Sequence, residues 1–555
     1  MEDRISELPI PLLHHILCFL SQKEAVRTCL LSKQWRHIGS SGPNLDFSEE
    51  WFDDTQEKFV SIVDRTLQGY HDQNLSIHKL HLHLSTSPLS QPVISLLDKW
   101  ILMIPALNIK AFKLNFHSPT CILSLTPAYY ESLEELHLRN CKLKPVESVL
   151  FKRLCILTLE HVQIDDGTCE TIVLDCPLLR RWVLYFCEGF TNGRLRSPGL
   201  KHFELCNSTR IEGRSIEIDL QNIETVSIRA PWIWCPRQSA FMFSRLTSLS
   251  LYDVILPRES FDLLSFGCPT LERLTLDNCS GLEEFHLASD SVKWLTISTS
   301  KILLKGATIC VPNILHFLFS IAQVPDTFSF TTTTSKEWDS NVILSSCEED
   351  PDFDVNWWFL ELRRLLKALS GSRISLSLQM DGGPHDMPCS AVVSDEPPVV
   401  VRDLNFASCK WRTMVWYMGF TNGLFRVCRP SHVHGASLVS GSDMNYRLSE
   451  FQLNILLANA SLPTETYFWK HDLEQVHVDG QLVQYTNWSE LRNRTYDEIV
   501  CLEMKWRGQT SRNCETGHMT GHSTALACFS IFSILLLLLG IFSCVFSTVP
   551  HSVKI

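Results

Sequence analysis

One apolar frame recurs through the first 300 residues of this 555-residue chain and restricts the folds that it can adopt. The frame is apolar-x-x-apolar-x-apolar, as in LEELHL from Leu133 and LERLTL from Leu271. Ten copies start at Ile77, Ile109, Leu133, Leu154, Leu179, Leu200, Ile223, Leu246, Leu271 and Val292. Successive copies start 21 to 32 residues apart, a spacing typical of an array of short structural repeats. Because alternation within each copy predicts a strand with one buried face, we expect ten strands to share a core.

The array resembles leucine-rich repeats, whose period is 20–29 residues. Two copies also extend to a cysteine three residues after the last leucine, Cys141 and Cys279, where that family carries asparagine or cysteine. No unit of such an array buries its apolar face alone, so stacked units form one continuous core. The resemblance therefore implies an α/β solenoid of about ten repeats over residues 76–325.

The alternate residues of each predicted strand point away from the core and form the predicted concave face. Lysine and arginine outnumber acidic residues there, six to four. The candidate substrate-binding residues are Lys79, His81, Glu135, His137, Arg139, Arg181, Tyr185, His202, Arg229, Tyr252 and Arg273. We hypothesise that this face captures a substrate protein; the alternative is that these are solvated side chains with no ligand.

The N-terminal stretch Leu8–Ile38 is too apolar for its length. Pro9 and Pro11 suit the first turn of a helix, and Ser21 with Glu24 forms a capping box that starts a second helix. Ser32 can cap a third helix. Three helices this short bury only part of their apolar surface against one another, so the remainder packs either on the chain's own next domain or on another protein.

This stretch resembles the F-box of plant proteins. The elements that carry the resemblance are Leu8-Pro9, ILCFL at 16–20, AVRT at 25–28 and LLSKQWR at 30–36, in order and at the usual spacing. The resemblance implies a three-helix F-box over residues 1–45 that docks on a Skp1-like adaptor and, through it, on a cullin–RING ubiquitin ligase. The implied adaptor contacts, or their support, are Leu8, Pro9, Leu12, Ile16, Leu17, Leu20, Val26, Leu31 and Trp35.

The charge of the chain argues against nucleic acid as a partner. The formal net charge is −12, whereas phosphate binding needs a concentrated basic surface. The 21 cysteines include no C-x-x-C pair, and no secretory signal precedes them, so reduced thiols are expected.

No catalytic motif is recognisable. Nucleophile-elbow, zinc-protease and phosphate-loop patterns do not occur in the sequence. His81 and His83 alternate on one strand, but no third metal ligand is suggested. We therefore predict no catalytic residue, no metal and no cofactor.

The regions outside the F-box and the repeats are less regular. Residues 46–75 are predicted to be an acidic linker and a helix with Phe59, Ile62, Val63 and Leu67 on its inner side. After residue 325 the period fades, and residues 326–508 predict a small, irregular α+β region with one clear helix, NWWFLELRRLLKAL from Asn356.

Residues 523–549 carry no charge and are long enough to span a bilayer. Two interpretations stay open. The segment is either a C-terminal transmembrane helix that anchors the chain in a membrane with its bulk facing the cytosol, or a wrongly assigned end of the coding sequence. Without the anchor, the family implies a cytoplasmic or nuclear protein.

We predict a non-catalytic substrate-recognition subunit of a Skp1–cullin–F-box ubiquitin ligase, in which the repeats bind an unknown substrate protein. One alternative is a membrane-anchored leucine-rich-repeat interaction protein without a ligase role. Another is an F-box protein that binds the adaptor without a cullin and acts as a regulator.

Overall fold

The computed structural model describes part of the N-terminal segment and most of the repeat array. The residues described are 8–17, 28, 35, 42–51, 56–85, 90–119, 121–123, 132–145, 151–189, 191–195, 197, 199–207, 214–218, 222–235, 243–257, 264, 267–300, 303–346, 355–380, 396–409, 414–434, 468–478, 480–482 and 501–507. The chain divides into two compact units, residues 1–505 and 506–555. In the second unit only residues 506 and 507 are described, and the following account concerns the first.

Six helices are described: α1 (Ile10–Leu17), α2 (Gln56–Asp72), α3 (Gln91–Met103), α4 (Asp166–Asp175), α5 (Val355–Ala368) and α6 (Met414–Val427). The first strands are β1 (Asn44–Ser48), β2 (Lys79–Leu84), β3 (Ala111–Phe116), β4 (Ile122–Leu123), β5 (Glu135–Arg139), β6 (Lys142–Leu143), β7 (Ile156–Glu160), β8 (Arg181–Tyr185), β9 (Asn192–Leu195), β10 (His202–Cys206), β11 (Ser215–Ile218), β12 (Thr225–Arg229), β13 (Ile233–Cys235) and β14 (Ser248–Tyr252). They are followed by β15 (Arg273–Asp277), β16 (Glu284–Ala288), β17 (Trp294–Thr299), β18 (Gly306–Cys310), β19 (His316–Ile321), β20 (Thr327–Thr331), β21 (Asp339–Ser346), β22 (Arg373–Met380), β23 (Val399–Cys409), β24 (Cys428–His434), β25 (Leu473–Val478), β26 (Gln481–Leu482) and β27 (Cys501–Trp506).

The ten predicted repeat strands are present and pair in parallel, in chain order, within one 19-stranded main sheet. They are β2, β3, β5, β7, β8, β10, β12, β14, β15 and β17, and each is in register with the next, as when Leu136 of β5 opposes Leu157 of β7. Their inward residues, mostly leucine, are buried. Burying one such side chain stabilises the fold by about 1.5–3 kcal/mol, so the sheet depends on every repeat meeting its neighbours.

Smaller parallel sheets accompany the main one and carry the return segments of the repeats. The first joins β4 and β6. In the second, β11 lies between β9 and β13, and in the third, β18 lies between β16 and β20. The cysteine that follows the strand belongs to this return path: the Cys279 thiol donates to the carbonyl of Leu251, one repeat earlier, over 3.3 Å. Burial raises the pKa of Cys279 to about 12, and the described cysteines are free thiols, as predicted.

The main sheet is longer than the apolar frame indicated. Strand β1 crosses the predicted boundary at residue 45 between the F-box and the acidic linker, and it pairs in parallel with β2 because Leu45 and Phe47 alternate inward. Beyond residue 325, β21 to β24 extend the same parallel ladder, and β27 closes it in antiparallel orientation. The boundary predicted at residue 325 has no counterpart in the strand pairing. Ser340 explains part of this miss, because it occupies a buried inward position where the frame expects leucine.

The helix predicted after the acidic run is α2, with one change to its inner face. Phe59, Val63 and Leu67 are buried as predicted, but Ile62 is 38% exposed. The Asp64 carboxylate accepts from Lys99 Nζ at 2.7 Å and from Trp100 Nε1 at 3.0 Å, which joins α2 to α3. The helix predicted from Asn356 is α5.

None of the helices in the described ranges has the length and apolarity that a bilayer span requires. The transmembrane helix predicted at 523–549 lies outside the described residues.

Helix α4 begins at a capping residue, Asp165, that contributes to the free energy of unfolding. The Asp165 carboxylate accepts from the Thr168 backbone N–H at 2.9 Å and from its hydroxyl at 2.7 Å. Burial raises the pKa of Asp165, but these hydrogen bonds outweigh it and hold the pKa below its ordinary value of 3.8. We expect Asp165→Ala to lower the free energy of unfolding by about 1 kcal/mol at pH 7.

Because the folded-state pKa of Asp165 is depressed, its contribution is present above the ordinary pKa and is lost as the pH falls through the folded-state value. The difference in urea midpoint between wild type and variant should therefore shrink below about pH 4. Glu170→Ala, an exposed change on the same helix, serves as the control. A difference that stays constant down to pH 2 would contradict the capping role.

Candidate functional site

The N-terminal segment contains a small core of its own. Helix α1 starts after Pro9, whose carbonyl accepts from the N–H groups of Leu12 and Leu13 at 2.8 and 3.2 Å. Leu13 and Leu17, four residues apart on one face of α1, form a buried cluster with Trp35, and Leu8 packs against it. We call these four residues the F-box core.

A neighbouring face of α1, about 100° around the helix from Leu13 and Leu17, carries exposed apolar side chains. Leu12 is 50% exposed and Ile16 is 36% exposed, and Pro9 at the start of the helix is exposed as well. Residues four apart in a helix are neighbours on its surface, so Leu12 and Ile16 form one apolar patch. Exposure of such a pair to water does not stabilise the protein, whereas an interface with another protein removes both side chains from water.

The predicted adaptor-binding set therefore divides in two. Pro9, Leu12 and Ile16 are accessible to a partner, whereas Leu8, Leu17 and Trp35 support them from within the F-box core. Leu20, Val26 and Leu31 lie outside the described residues.

The second candidate surface is the exposed face of the main sheet, and all eleven predicted substrate-binding residues lie on it. The register aligns them in three rows. The first row contains Lys79, Glu135, Arg181, His202 and Arg273, the middle row His81 and His137, and the last row Arg139, Tyr185, Arg229 and Tyr252.

On the N-terminal strands the middle-row histidines are paired with acids. His81 Nδ1 lies 2.8 Å from Asp46 Oδ1, and His137 Nε2 lies 3.5 Å from Glu160 Oε2. Burial and the nearby Lys113 lower the pKa of His137, although Glu160 opposes them. Sequence analysis did not select Asp46 because β1 was not recognised as a strand.

The arginines of the same region are also neutralised. Arg139 Nε lies 3.4 Å from Glu160 Oε1, and Arg181 Nη2 lies 3.5 Å from Glu204 Oε2. Glu204 additionally accepts a hydrogen bond from the Tyr185 hydroxyl at 2.5 Å, and burial together with this carboxylate raises the pKa of Tyr185. The predicted basic character of this half of the face is therefore largely cancelled by acids one strand away.

The strands β12 to β19 differ. The Arg229 guanidinium lies over the Tyr252 ring, 4.1 Å from its centroid, and the Arg273 guanidinium lies 4.7 Å from the centroid of Trp294. Trp294 in turn stacks on His316, with ring centroids 6.3 Å apart. Trp294 lies in the first row, at the same frame position as Arg273, but was not among the predicted binding residues.

Neither surface resembles a catalytic or metal centre. Within the described ranges no group of three or more His, Cys, Asp and Glu side chains is placed to hold a metal ion. His83, considered above with His81 as a metal pair, instead lies 3.2 Å from the Ser48 hydroxyl.

Family models match two parts of the chain. The F-box domain model matches residues 5–45, and the model described as "FBD-associated F-box protein At5g56370, LRR repeats" matches residues 97–234 and 219–319. The first match contains the four residues of the F-box core, and the second covers the chain from within α3 to within β19.

Curated relatives come from Arabidopsis thaliana. F-box/LRR-repeat protein 25 is 32% identical over 222 residues, which are 39% of this chain and 76% of that protein. The protein named as F-box protein At1g49610 is 31% identical over 367 residues, 62% of this chain and 90% of that protein. The FBD-associated F-box protein At5g22720 is 32% identical over 183 residues, and the match covers 38% of its length.

The matches to F-box and repeat models, the parallel sheet of repeat strands and two relatives covered over most of their length agree with one another. This chain belongs to the plant F-box/leucine-rich-repeat family.

Proposed function

We propose that this protein is the substrate-recognition subunit of a Skp1–cullin–F-box ubiquitin ligase. Its F-box would bind the Skp1-like adaptor, and the exposed face of its main sheet would bind the protein to be ubiquitinated. The observation that carries this proposal is the apolar patch of Leu12 and Ile16, on a helix whose other face is already satisfied by the F-box core.

The patch fits an adaptor interface for a physical reason. An isolated exposed leucine is ordinary on a protein surface, but two large apolar side chains at helical spacing, next to an exposed proline, form a contact that a groove on a partner can bury. The relatives named as F-box proteins support this role for the N-terminal segment.

The exposed face of the main sheet suits substrate recognition rather than catalysis. Its rows combine charged, aromatic and hydroxyl side chains over many strands, and such repeat surfaces bind partners over an extended area. In this proposal the protein performs no chemistry, and the ubiquitin transfer occurs elsewhere in the ligase.

The test is co-expression of the full chain with a plant Skp1-like adaptor and a cullin, followed by purification through a tag on this chain and size-exclusion chromatography. We expect all three proteins to elute together. Recovery of the adaptor without the cullin would favour the regulator described above. Recovery of neither would refute the ligase role and leave a repeat protein that binds partners on its own.

A further inference from the structure

Two arginines on the exposed face of the main sheet carry positive charge that no acid among the described residues neutralises. Arg229 and Arg273 make no ion pair within the part of the chain that the structure describes, whereas Arg139 and Arg181 each lie within 3.5 Å of a glutamate. Among the arginines of this face, the contrast separates those on β12 and β15 from those on β5 and β8, on a chain whose net charge is −12.

Both guanidinium groups are held in place by aromatic rings. The guanidinium carbons lie 4.1 and 4.7 Å from the ring centroids of Tyr252 and Trp294, contacts that restrict both side chains, while both arginines remain exposed. A planar fork of N–H donors matches a carboxylate, which it can bind through two parallel hydrogen bonds. Because the rings restrict the side chains before any ligand arrives, less conformational entropy is lost on binding.

The surface between the two arginines carries short, polar side chains. Its middle row consists of small hydroxyl side chains, all partly exposed: Ser227, Ser250, Thr275 and Thr296. The corresponding row of the first strands holds larger polar side chains, such as His81 beside Asp46. A floor of short hydroxyls admits an extended backbone and can donate to or accept from its peptide groups.

Acids in the same part of the face are engaged elsewhere. Glu204, on the strand before Arg229, is bound by Arg181 and by the Tyr185 hydroxyl. Asp277 lies one strand beyond Tyr252 in the last row and accepts from Asn278 Nδ2 at 3.0 Å. Asp339 follows His316 in the first row and accepts from Arg373 Nε at 2.7 Å.

The positions of the arginines set the spacing of a matching ligand. Arg229 ends β12 and Arg273 begins β15, two strand positions away, so they are separated by about 10 Å across the sheet and about 13 Å along it. Both side chains lean toward the following strand, which keeps a diagonal of about 16 Å. An extended peptide covers that distance in about five residues.

We propose that β12 to β17 bind an extended acidic segment of the substrate protein, with one carboxylate at Arg229, another at Arg273 and the intervening backbone over the hydroxyl row. This inference rests on the proposed substrate-receptor function and specifies the chemical class of the substrate's recognition segment.

The test uses the full chain in complex with its Skp1-like adaptor and a fluorescent Ser/Gly peptide that carries two glutamates about five residues apart. Binding is measured by fluorescence anisotropy at low and at high salt. We expect the Arg229→Ala/Arg273→Ala variant to bind the peptide at least about tenfold more weakly, and high salt to weaken wild-type binding. A peptide with glutamine in place of both glutamates should bind as weakly as the variant does to the acidic one.

Arg153→Ala/Arg364→Ala is the matched control, because it removes the same charge from exposed, already paired arginines that are not among the candidate binding residues. We expect it to retain wild-type peptide affinity. Equal binding of the glutamate and glutamine peptides, or equal losses in the two double variants, would overturn the inference. Adaptor binding is measured separately. If the chain binds its adaptor but does not bind the peptide, only the inference of an acidic recognition segment is refuted. Failure of the adaptor to bind refutes the ligase role instead.

Discussion

The Leu12→Asp/Ile16→Asp variant should lose its Skp1-like adaptor while the rest of the chain stays folded. Both side chains are substantially exposed, 50% and 36%, so aspartate costs little in the free protein. In the complex each aspartate would be buried against an apolar partner surface, where an unpaired charge is strongly unfavourable. Central interface residues contribute about 2 kcal/mol or more each, so we expect affinity to fall by more than about a hundredfold. Isothermal titration calorimetry with purified adaptor measures this loss.

Two further variants show whether that loss is specific. Ile62→Asp changes an isoleucine of nearly equal exposure, 38%, on α2, and should leave adaptor affinity unchanged. Leu17→Asp places a charge inside the F-box core, so it should unfold that core and lose binding for a different reason, visible as a loss of helical signal. If the Leu12→Asp/Ile16→Asp variant bound like wild type, the patch would not be the adaptor site.

The second large effect is expected at Gly281, where consecutive repeats approach most closely. Its φ of +92° is in the left-handed region, and a Cβ there would lie 2.2 Å from the carbonyl oxygen of Leu256, one repeat earlier. Gly189 follows Cys187 as Gly281 follows Cys279, has a φ of +84°, and would place its Cβ 2.8 Å from the Ile164 carbonyl. At these two positions a side chain would clash with the backbone of the preceding repeat, and backbone cannot move aside as a side chain can.

We expect Gly281→Ala to lower the free energy of unfolding by about 3 kcal/mol or more, since backbone strain and a steric clash add. In a repeat protein the damage should begin at the interface with the neighbouring repeat. Hydrogen exchange should therefore accelerate first in β14 to β16, and thermal denaturation should show the lower stability.

Gly69→Ala is the matched control, because Gly69 lies within α2 and a Cβ there would meet nothing within 4 Å. Alanine is the better helix former, so this variant should gain up to about 1 kcal/mol. If the two glycine-to-alanine changes shifted stability in the same direction, close stacking at Gly281 would not explain the conformation of that residue.

Periodicity identified the elements in which the burial of each residue follows from residues close to it in the sequence. Leu133, Leu136 and Leu138 predict a strand by themselves, and the structure confirms that strand and its nine companions. The same alternation placed Arg229 and Arg273 on the exposed face. By contrast, β1 and β21 have weaker frames, and only their pairing with β2 and β19 shows that they belong to the sheet.

The strand repeat, the outward rows and the F-box motif were predictable from the chain, because they follow from spacings of two to about 25 residues. Which of those residues remain available to a partner depends on how the strands and helices pack. Register placed Glu160 beside Arg139 and Glu204 beside Arg181 but aromatic rings beside Arg229 and Arg273, and packing buried Leu17 while leaving Leu12 open. Charge compensation and burial depend on neighbours from other strands and helices, and a linear pattern does not contain their distances.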